Sequence, residues 1–345
     1  MSQVDLLVPE LAPHDATGTH TLLLRDVLVE MGRSVRFVTQ IPAEVDEPFI
    51  LADDWKDPAP VVILQHGIGS FVAEAAIERR VPVVVNYHNI TPVEFVEPWT
   101  PELISGLRWG RSQLDQLAPR SVRGIAVSEY NATEMRTAGF VDVRVAPVLW
   151  NPHPTLEFHG LASASPQILF VGRVAANKCH EDLLAALALI VEHHPDVRLT
   201  LVGSPASNDY QHTLERYALR LGLGDAVEFA GAVSEEELTA LYNNADVFVC
   251  MSEHEGFCVP IVEAMASGVP VIAHGAAAVP ETVGDAGIVL HDKRPATVAA
   301  AVCRVFDDRV LADVMATAGR RRAADFSPEV GRKRMRAALE GLMLR

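Results

Sequence analysis

Glu255 and Glu263 stand eight positions apart in Ser252-Glu-His-Glu-Gly-Phe-Cys-Val-Pro-Ile-Val-Glu263. The preceding run, Asp246-Val-Phe-Val-Cys250, is short and apolar like a strand, and Pro260 to Ser267 carries helix formers behind a proline. The two carboxylates therefore straddle a strand-to-helix turn. In a parallel α/β sheet such turns lie at the carboxyl ends of the strands, where ligands bind, and the helix start offers unpaired N–H groups that suit phosphate. Taken alone the pair reads equally as two solvated surface glutamates. Beside an anion-binding helix end, it suits hydrogen bonds from the hydroxyls of a neutral sugar.

A second constellation supplies the opposite charge. Arg173 and Lys178 follow the strand-like run Ile168-Leu-Phe-Val-Gly172, in a turn that leads to a helix. Arginine offers a planar fork for phosphate oxygens and lysine a mobile point charge, so together they could neutralise a diphosphate. The turn lacks the second glycine and the Gly-Lys-Ser/Thr ending of a phosphate-binding loop, which argues against a kinase or NTPase. Gly67-Ile-Gly69 has no third glycine in register and Gly18 stands alone, which argues against a nicotinamide enzyme.

The elements that must position these residues alternate. Strand-type runs at Val4 to Val8, Val35 to Thr39, Val61 to Leu64, Pro82 to Tyr87 and Gly124 to Val127 are separated by helical patterns. Those patterns cover Thr19 to Met31, Phe71 to Arg79, Thr100 to Leu117 and Glu129 to Ala138. Four prolines between Pro147 and Pro166 interrupt the rhythm, and a linker is expected at 151–164. Alternation then resumes. Strands are expected at Gln167 to Val171, Val197 to Val202, Val227 to Phe229, Val269 to Ala273 and Gly287 to Leu290. Helices are expected at Glu181 to His193 and Asp209 to Leu221, with more from Ala296 onward. Ser234 and Glu237 form a capping box for a helix running to Asn244. The expected fold class is α/β, two Rossmann-like doubly wound domains over 1–150 and 165–327, with a cleft between their strand ends.

With 345 residues the chain is long enough for about two domains. Its 29 basic and 45 acidic residues give a net charge of -16, which disfavours nonspecific nucleic-acid binding and a broad basic membrane-docking face. The four cysteines show neither a CxxC pair nor zinc-finger spacing, so reduced thiols in a cytoplasmic protein are expected. Met1 to Pro9 lacks the features of a signal peptide, and no apolar stretch approaches the roughly 18–20 residues that span a bilayer. Membrane association is expected to be peripheral at most.

Four segments occur together and in order: Phe170-Val-Gly-Arg-Val-Ala-Ala-Asn-Lys178, Leu201-Val-Gly203, Val227-Glu-Phe-Ala-Gly231, and Ser252 through Ala273. In these the chain resembles glycosyltransferase family 4, the retaining enzymes of GT-B fold. Gly18, Gln65-His-Gly-Ile-Gly-Ser70 and Tyr87-His-Asn-Ile-Thr-Pro92 extend the likeness more loosely into the first half. The resemblance implies that Arg173 and Lys178 bind the diphosphate of a UDP- or GDP-linked sugar donor and stabilise the leaving group. It further implies that Glu263 takes the ribose hydroxyls and Glu255 the transferred sugar. The backbone of Gly256, Phe257, Cys258 and Val259 would approach the sugar and distal phosphate, and Val233 the base. His88 would lie near the donor sugar's primary hydroxyl, and Gly18 where a side chain would crowd donor or acceptor. The resemblance implies no cofactor and no metal, an acceptor that is a sugar, a lipid-linked sugar or a small molecule, and a helix over Pro328 to Leu344 that crosses back onto the first domain.

Two departures from the family pattern stand out. Cys258 replaces a glycine common in relatives; a cysteine can take ordinary backbone angles, so donor binding should survive while sugar preference shifts. The loop before Gly18 lacks the usual paired glycines. A sugar-nucleotide epimerase, a disaccharide phosphorylase and a non-catalytic nucleotide-sugar-binding subunit would use the same phosphate-binding residues. An inverting or covalent route would instead draw on His14, Asp15 or His20, while His66 and His20 are lesser site candidates beside His88.

Overall fold

The computed structural model describes residues 3–12, 16–43, 45–152 and 165–342. The chain divides into two units, Met1–Val93 with Glu102–Asn151 and Pro328–Arg345, and Glu94–Pro101 with Pro152–Ser327. In the first, β1 (Gln3–Val8), α1 (Ala16–Glu30), β2 (Ser34–Thr39), β3 (Phe49–Leu51), β4 (Val61–His66), α2 (Phe71–Glu78), β5 (Val83–Tyr87), α3 (Ile104–Leu117), β6 (Ser121–Ala126), α4 (Glu129–Thr137) and β7 (Val143–Val145) follow one another. The strands form a parallel sheet in the order β3-β2-β1-β4-β5-β6-β7. Strands covered on both faces read as near-continuous apolar runs, and Leu6, Leu7 and Val8 of β1 are fully buried.

The second unit repeats the design. Its elements are β8 (Gln167–Val171), α5 (His180–Ile190), β9 (Arg198–Val202), α6 (Asn208–Arg220), β10 (Val227–Gly231), α7 (Glu235–Asn244), β11 (Val247–Cys250), α8 (Val259–Ala266), β12 (Val271–His274), α9 (Val279–Val283), β13 (Ile288–Leu290), α10 (Pro295–Asp307) and α11 (Arg309–Ala324). The parallel order is β10-β9-β8-β11-β12-β13. Ser234 and Glu237 form the reciprocal capping box at the start of α7. Trp99, in the segment between β5 and α3, packs against this unit's core and lies 5.1 Å from the Tyr210 ring.

The last helix, α12 (Pro328–Leu339), places Met335, Ala338 and Leu339 in the core of the first unit with Val4, Leu6 and Leu28. Arg123 of β6 donates to the carbonyls of Ala338 and Glu340 at 2.7 Å each, satisfying the helix end.

Sequence and structure differ where local signals are weak. The three-residue strands β3 and β7 lie on the outer edges of the first sheet, too short to show a period. The helix read from Thr100 starts at Ile104 after a 3-10 turn at Pro101–Leu103, because the residue before a proline is disfavoured in helical conformation. The strand read from Val269 starts at Val271, after a proline that has no N–H to give. The linker expected at 151–164 lies outside the described residues from 153 onward. Among the described residues no helix is long and apolar enough to cross a membrane.

Candidate functional site

The strand order of the second unit reverses between β8 and β11, which pair directly through Val247–Ile168 and Phe248–Leu169. Ligands of open α/β sheets bind outside the carboxyl ends of the strands at such a reversal. The turn after β8 carries Arg173 and Lys178, and the turn after β11 carries Glu255. At Gly203, after β9, a Cβ would come within 2.2 Å of the Gly172 carbonyl oxygen, so glycine lets these strand ends close up. The two turns are tied together: Glu253 N–H donates to the Asn177 carbonyl at 2.9 Å, and the Asn177 amide donates to the His254 carbonyl at 3.1 Å.

These ties bring Lys178 Nζ to 2.6 Å from Glu255 Oε1. Both are largely shielded, with side-chain exposures of 19% and 10%. Burial lowers the Lys178 pKa, but the Glu255 carboxylate outweighs it and the net shift is upward. The ammonium therefore keeps its charge. Arg173 is exposed, and its guanidinium makes no hydrogen bond or ion pair with another described residue.

Helix α8 begins at Val259 with Pro260 in its first turn, and its N-cap has no side-chain hydrogen bond. Pro260 has no N–H and Ile261 N–H donates to the Cys258 carbonyl at 3.1 Å, which leaves the N–H of Val259 to meet an anion. The N-cap residue is Cys258, at φ 69° and ψ 72°. This corrects the expectation of ordinary backbone angles there. The position is left-handed, where glycine is at ease and a side chain costs about 1–2 kcal/mol. The Phe257 carbonyl accepts from Thr282 Oγ1 at 2.6 Å, and the Phe257 ring lies edge-on to Phe326 at 5.2 Å. The Glu255 carbonyl accepts from Ala278 N–H at 3.2 Å. Gly256 is partly exposed between them. Glu263 sits one turn into α8, where Tyr242 of α7 donates to its Oε2 at 2.8 Å. Val233 lies between β10 and the capping box, directly before the N-cap Ser234.

Gly18 and His88 belong to the first unit. Gly18 is in the first turn of α1; a Cβ on it would fall 1.8 Å from the Ala12 carbonyl oxygen. The group that a side chain would strike is thus the loop of the same unit. Gly18→Ala is expected to lower stability by about 1–3 kcal/mol, the cost of overpacking a fixed backbone, measurable as a fall in the thermal midpoint.

His88 follows β5 and is partly exposed. Its Nε2 donates to Gln65 Oε1 at 2.6 Å, and its ring lies edge-on to His20 at 4.9 Å. The Asn86 amide lies 2.9 Å from Gln65 Oε1 and 2.7 Å from His20 Nε2, while Leu149 N–H donates to His20 Nδ1 at 2.9 Å. His66 Nε2 is 2.9 Å from the Gly110 carbonyl. Burial lowers all three histidine pKa values, to about 4 for His66 and His88 and well below 6.5 for His20. Protons therefore bind the unfolded chain more tightly. Stability is fully present above 6.5 and falls as the pH drops toward about 4. For His66 alone, urea unfolding at about pH 5 should show about 2 kcal/mol less stability than at about pH 7.

Sequence reading did not single out Asn177, Tyr242, Gln65 or Asn86. Each holds a named site residue in place, and each comes from a different strand end or helix, so no sequence spacing marks it. The position of Gln65 and Asn86 at the ends of apolar runs was the available signal, since buried amides need partners. Among the described residues, Cys250, Glu255 and Cys258 also bring metal-ligating atoms within 4.8 Å of one another.

A D-inositol 3-phosphate glycosyltransferase of Streptomyces avermitilis is 32% identical over 166 residues, 46% of this chain and 36% of that protein. The matches to the first curated relatives span only 24% to 38% of those proteins' lengths. Among solved structures, a sucrose-phosphate synthase of Thermosynechococcus elongatus covers 99% of both chains with a TM-score of 0.80 at 20% identity. An Anabaena protein solved with UDP-glucose covers 98% of this chain and 99% of its own, with a TM-score of 0.76 at 19% identity. These likenesses establish the α/β GT-B fold class, two Rossmann-like domains, that the resemblance implied. Residues 155–322, 168 of the 345 in the chain, match the family model described as glycosyl transferases group 1.

Proposed function

We propose that the chain is a retaining glycosyltransferase that moves a sugar from a nucleoside diphosphate to an acceptor hydroxyl without a metal. The observation that carries this reading is the Lys178–Glu255 ion pair at the strand-order reversal, beside the uncapped start of α8. A cation, a carboxylate and a helix start with the Val259 N–H unpaired suit a ligand that is both anionic and rich in hydroxyls. The family match and the fold shared with proteins named for glycosyl transfer support it.

In this mechanism Arg173 and Lys178 bind the diphosphate and stabilise the charge that grows as the glycosidic bond to phosphate breaks. The start of α8, with the backbone from Gly256 to Val259, faces the distal phosphate and the sugar. Glu255 accepts from a hydroxyl of the transferred sugar and Glu263 from the ribose; the backbone at Val233 meets the base. In the first unit, His88 in its neutral form is suited to hydrogen-bond a hydroxyl. The acceptor attacks from the face the leaving group departs, and its proton passes to the leaving phosphate oxygen.

Incubation with labelled UDP- and GDP-sugars in the presence of a chelator tests this reading. Transfer with retained anomeric configuration is the expected result, and an inverted product or strict dependence on added metal would overturn the mechanism. Glu263→Gln should weaken binding of the free nucleoside diphosphate and slow turnover. Glu255→Gln should slow turnover with little effect on that binding, as isothermal titration with UDP and GDP would record.

A further inference from the structure

We propose that Cys250, Glu255 and Cys258 form a site for one thiophilic divalent cation of the zinc and cadmium class. Cys250 ends β11 and Cys258 caps α8, and the loop between them folds back so that two thiols and a carboxylate converge within 4.8 Å. All three are largely buried, with Cys250 1% exposed and Cys258 and Glu255 9% each.

The donor set decides the class of ion. Thiolates select soft or borderline cations, whereas magnesium and calcium take oxygen ligands, so a two-sulfur, one-oxygen set points to zinc or cadmium. Tetrahedral zinc with bonds of about 2.3 Å to sulfur and about 2.0–2.2 Å to oxygen spaces its ligand atoms about 3.6–3.8 Å apart. Small side-chain rotations reach that spacing, and water takes the fourth position.

Charge favours the same conclusion. Lys178 holds one oxygen of Glu255, and a carboxylate has a second oxygen to offer. Two thiolates and a carboxylate against a divalent ion and the ammonium leave the buried cluster neutral, so Lys178 need not leave. The backbone adds an independent observation. Cys258 is held at φ 69°, where a side chain is unfavourable, and strain of this kind gathers at functional positions. Cys250 Sγ has only a 3.3 Å contact to Ser252 Oγ among its hydrogen bonds to described residues, so its thiol is otherwise committed only to this cluster.

The binding itself does not depend on the proposed glycosyl transfer. One consequence does: a cation bound here lies at the carboxylate assigned to the transferred sugar, so metal and donor would compete.

The test is a cadmium titration of the reduced, metal-free protein, followed by the thiolate-to-metal charge-transfer band in the near ultraviolet. Saturation at one equivalent is expected, with excess zinc competing for the same site. Cys258→Gly suits the left-handed backbone and should fold; it should weaken binding by more than about 100-fold, beyond the loss of an outer-shell partner. Cys250→Ser should do the same. Cys179→Ser and Cys303→Ser should leave the band intact. No saturable band in the wild type, a full band in Cys258→Gly, or loss of the band in the Cys179 or Cys303 variants would overturn the site. Inhibition of transfer is read separately, so an inactive preparation that still binds cadmium would count against the glycosyl-transfer reading alone.

Discussion

Replacing Lys178 with methionine should lower the unfolding free energy of the second unit by about 3–5 kcal/mol, the cost of leaving a buried charge without its partner. The variant keeps most of the side-chain volume, so packing loss contributes little. What remains is the Glu255 carboxylate, 10% exposed at its side chain and deprived of the ammonium 2.6 Å away. Glu255→Gln alone should also destabilise, because it strands the ammonium. The double variant should recover much of the loss, since a neutral amide beside a thioether leaves no uncompensated charge. Urea unfolding of the four proteins completes the cycle. A Lys178→Met protein within about 1 kcal/mol of the wild type would show that solvent already screens the pair.

Arg173→Ala should do the reverse, leaving stability unchanged and removing activity. The guanidinium is exposed and holds no other described residue, so unfolding should stay within about 0.5 kcal/mol of the wild type. Transfer should lose about 2–4 kcal/mol of transition-state stabilisation, roughly 30- to 900-fold in kcat/KM, the scale for removing a charged donor from a developing anion. Steady-state kinetics with whichever labelled sugar nucleotide supports transfer would measure it. Near-normal kcat/KM would remove Arg173 from the diphosphate. Together the two variants separate a cation that the fold also needs from one held for the ligand alone.

Much of the fold was legible because its determinants are local. A parallel strand buried on both faces needs an uninterrupted apolar run, as in Ile168-Leu-Phe-Val171, and the helix start at Ser234 needs a partner only three residues away. The same locality explains the errors. Phe49–Leu51 and Val143–Val145 are strands because a neighbouring edge accepts them, not because three residues declare a period. Pro101 and Pro270 moved two element starts by removing conformations or donors that the hydrophobic pattern cannot register. At the candidate site, Glu255, Glu263, Arg173 and Lys178 could be named from residue type and position at strand ends. Their partners could not. Tyr242 reaches Glu263 from a different helix, and Gln65 reaches His88 from a different strand.

By itself the sequence determined that two wound sheets form, that a basic turn follows one strand, and that a pair of carboxylates brackets the start of a helix. Periodicity, capping and turn chemistry act over a few residues, so they are written where they act. Tertiary structure alone decided that β8 lies beside β11, although three helices and two strands separate them in the chain. That adjacency arises from burial of the crossover helices against the sheet, a nonlocal packing effect. It joins Lys178 to Glu255 across 77 positions. The return of the β11–α8 loop likewise sets Cys258 in a left-handed conformation and turns its thiol toward Cys250 and Glu255. No spacing rule anticipates that geometry, because it depends on where the loop is anchored by Asn177, Ala278 and Thr282.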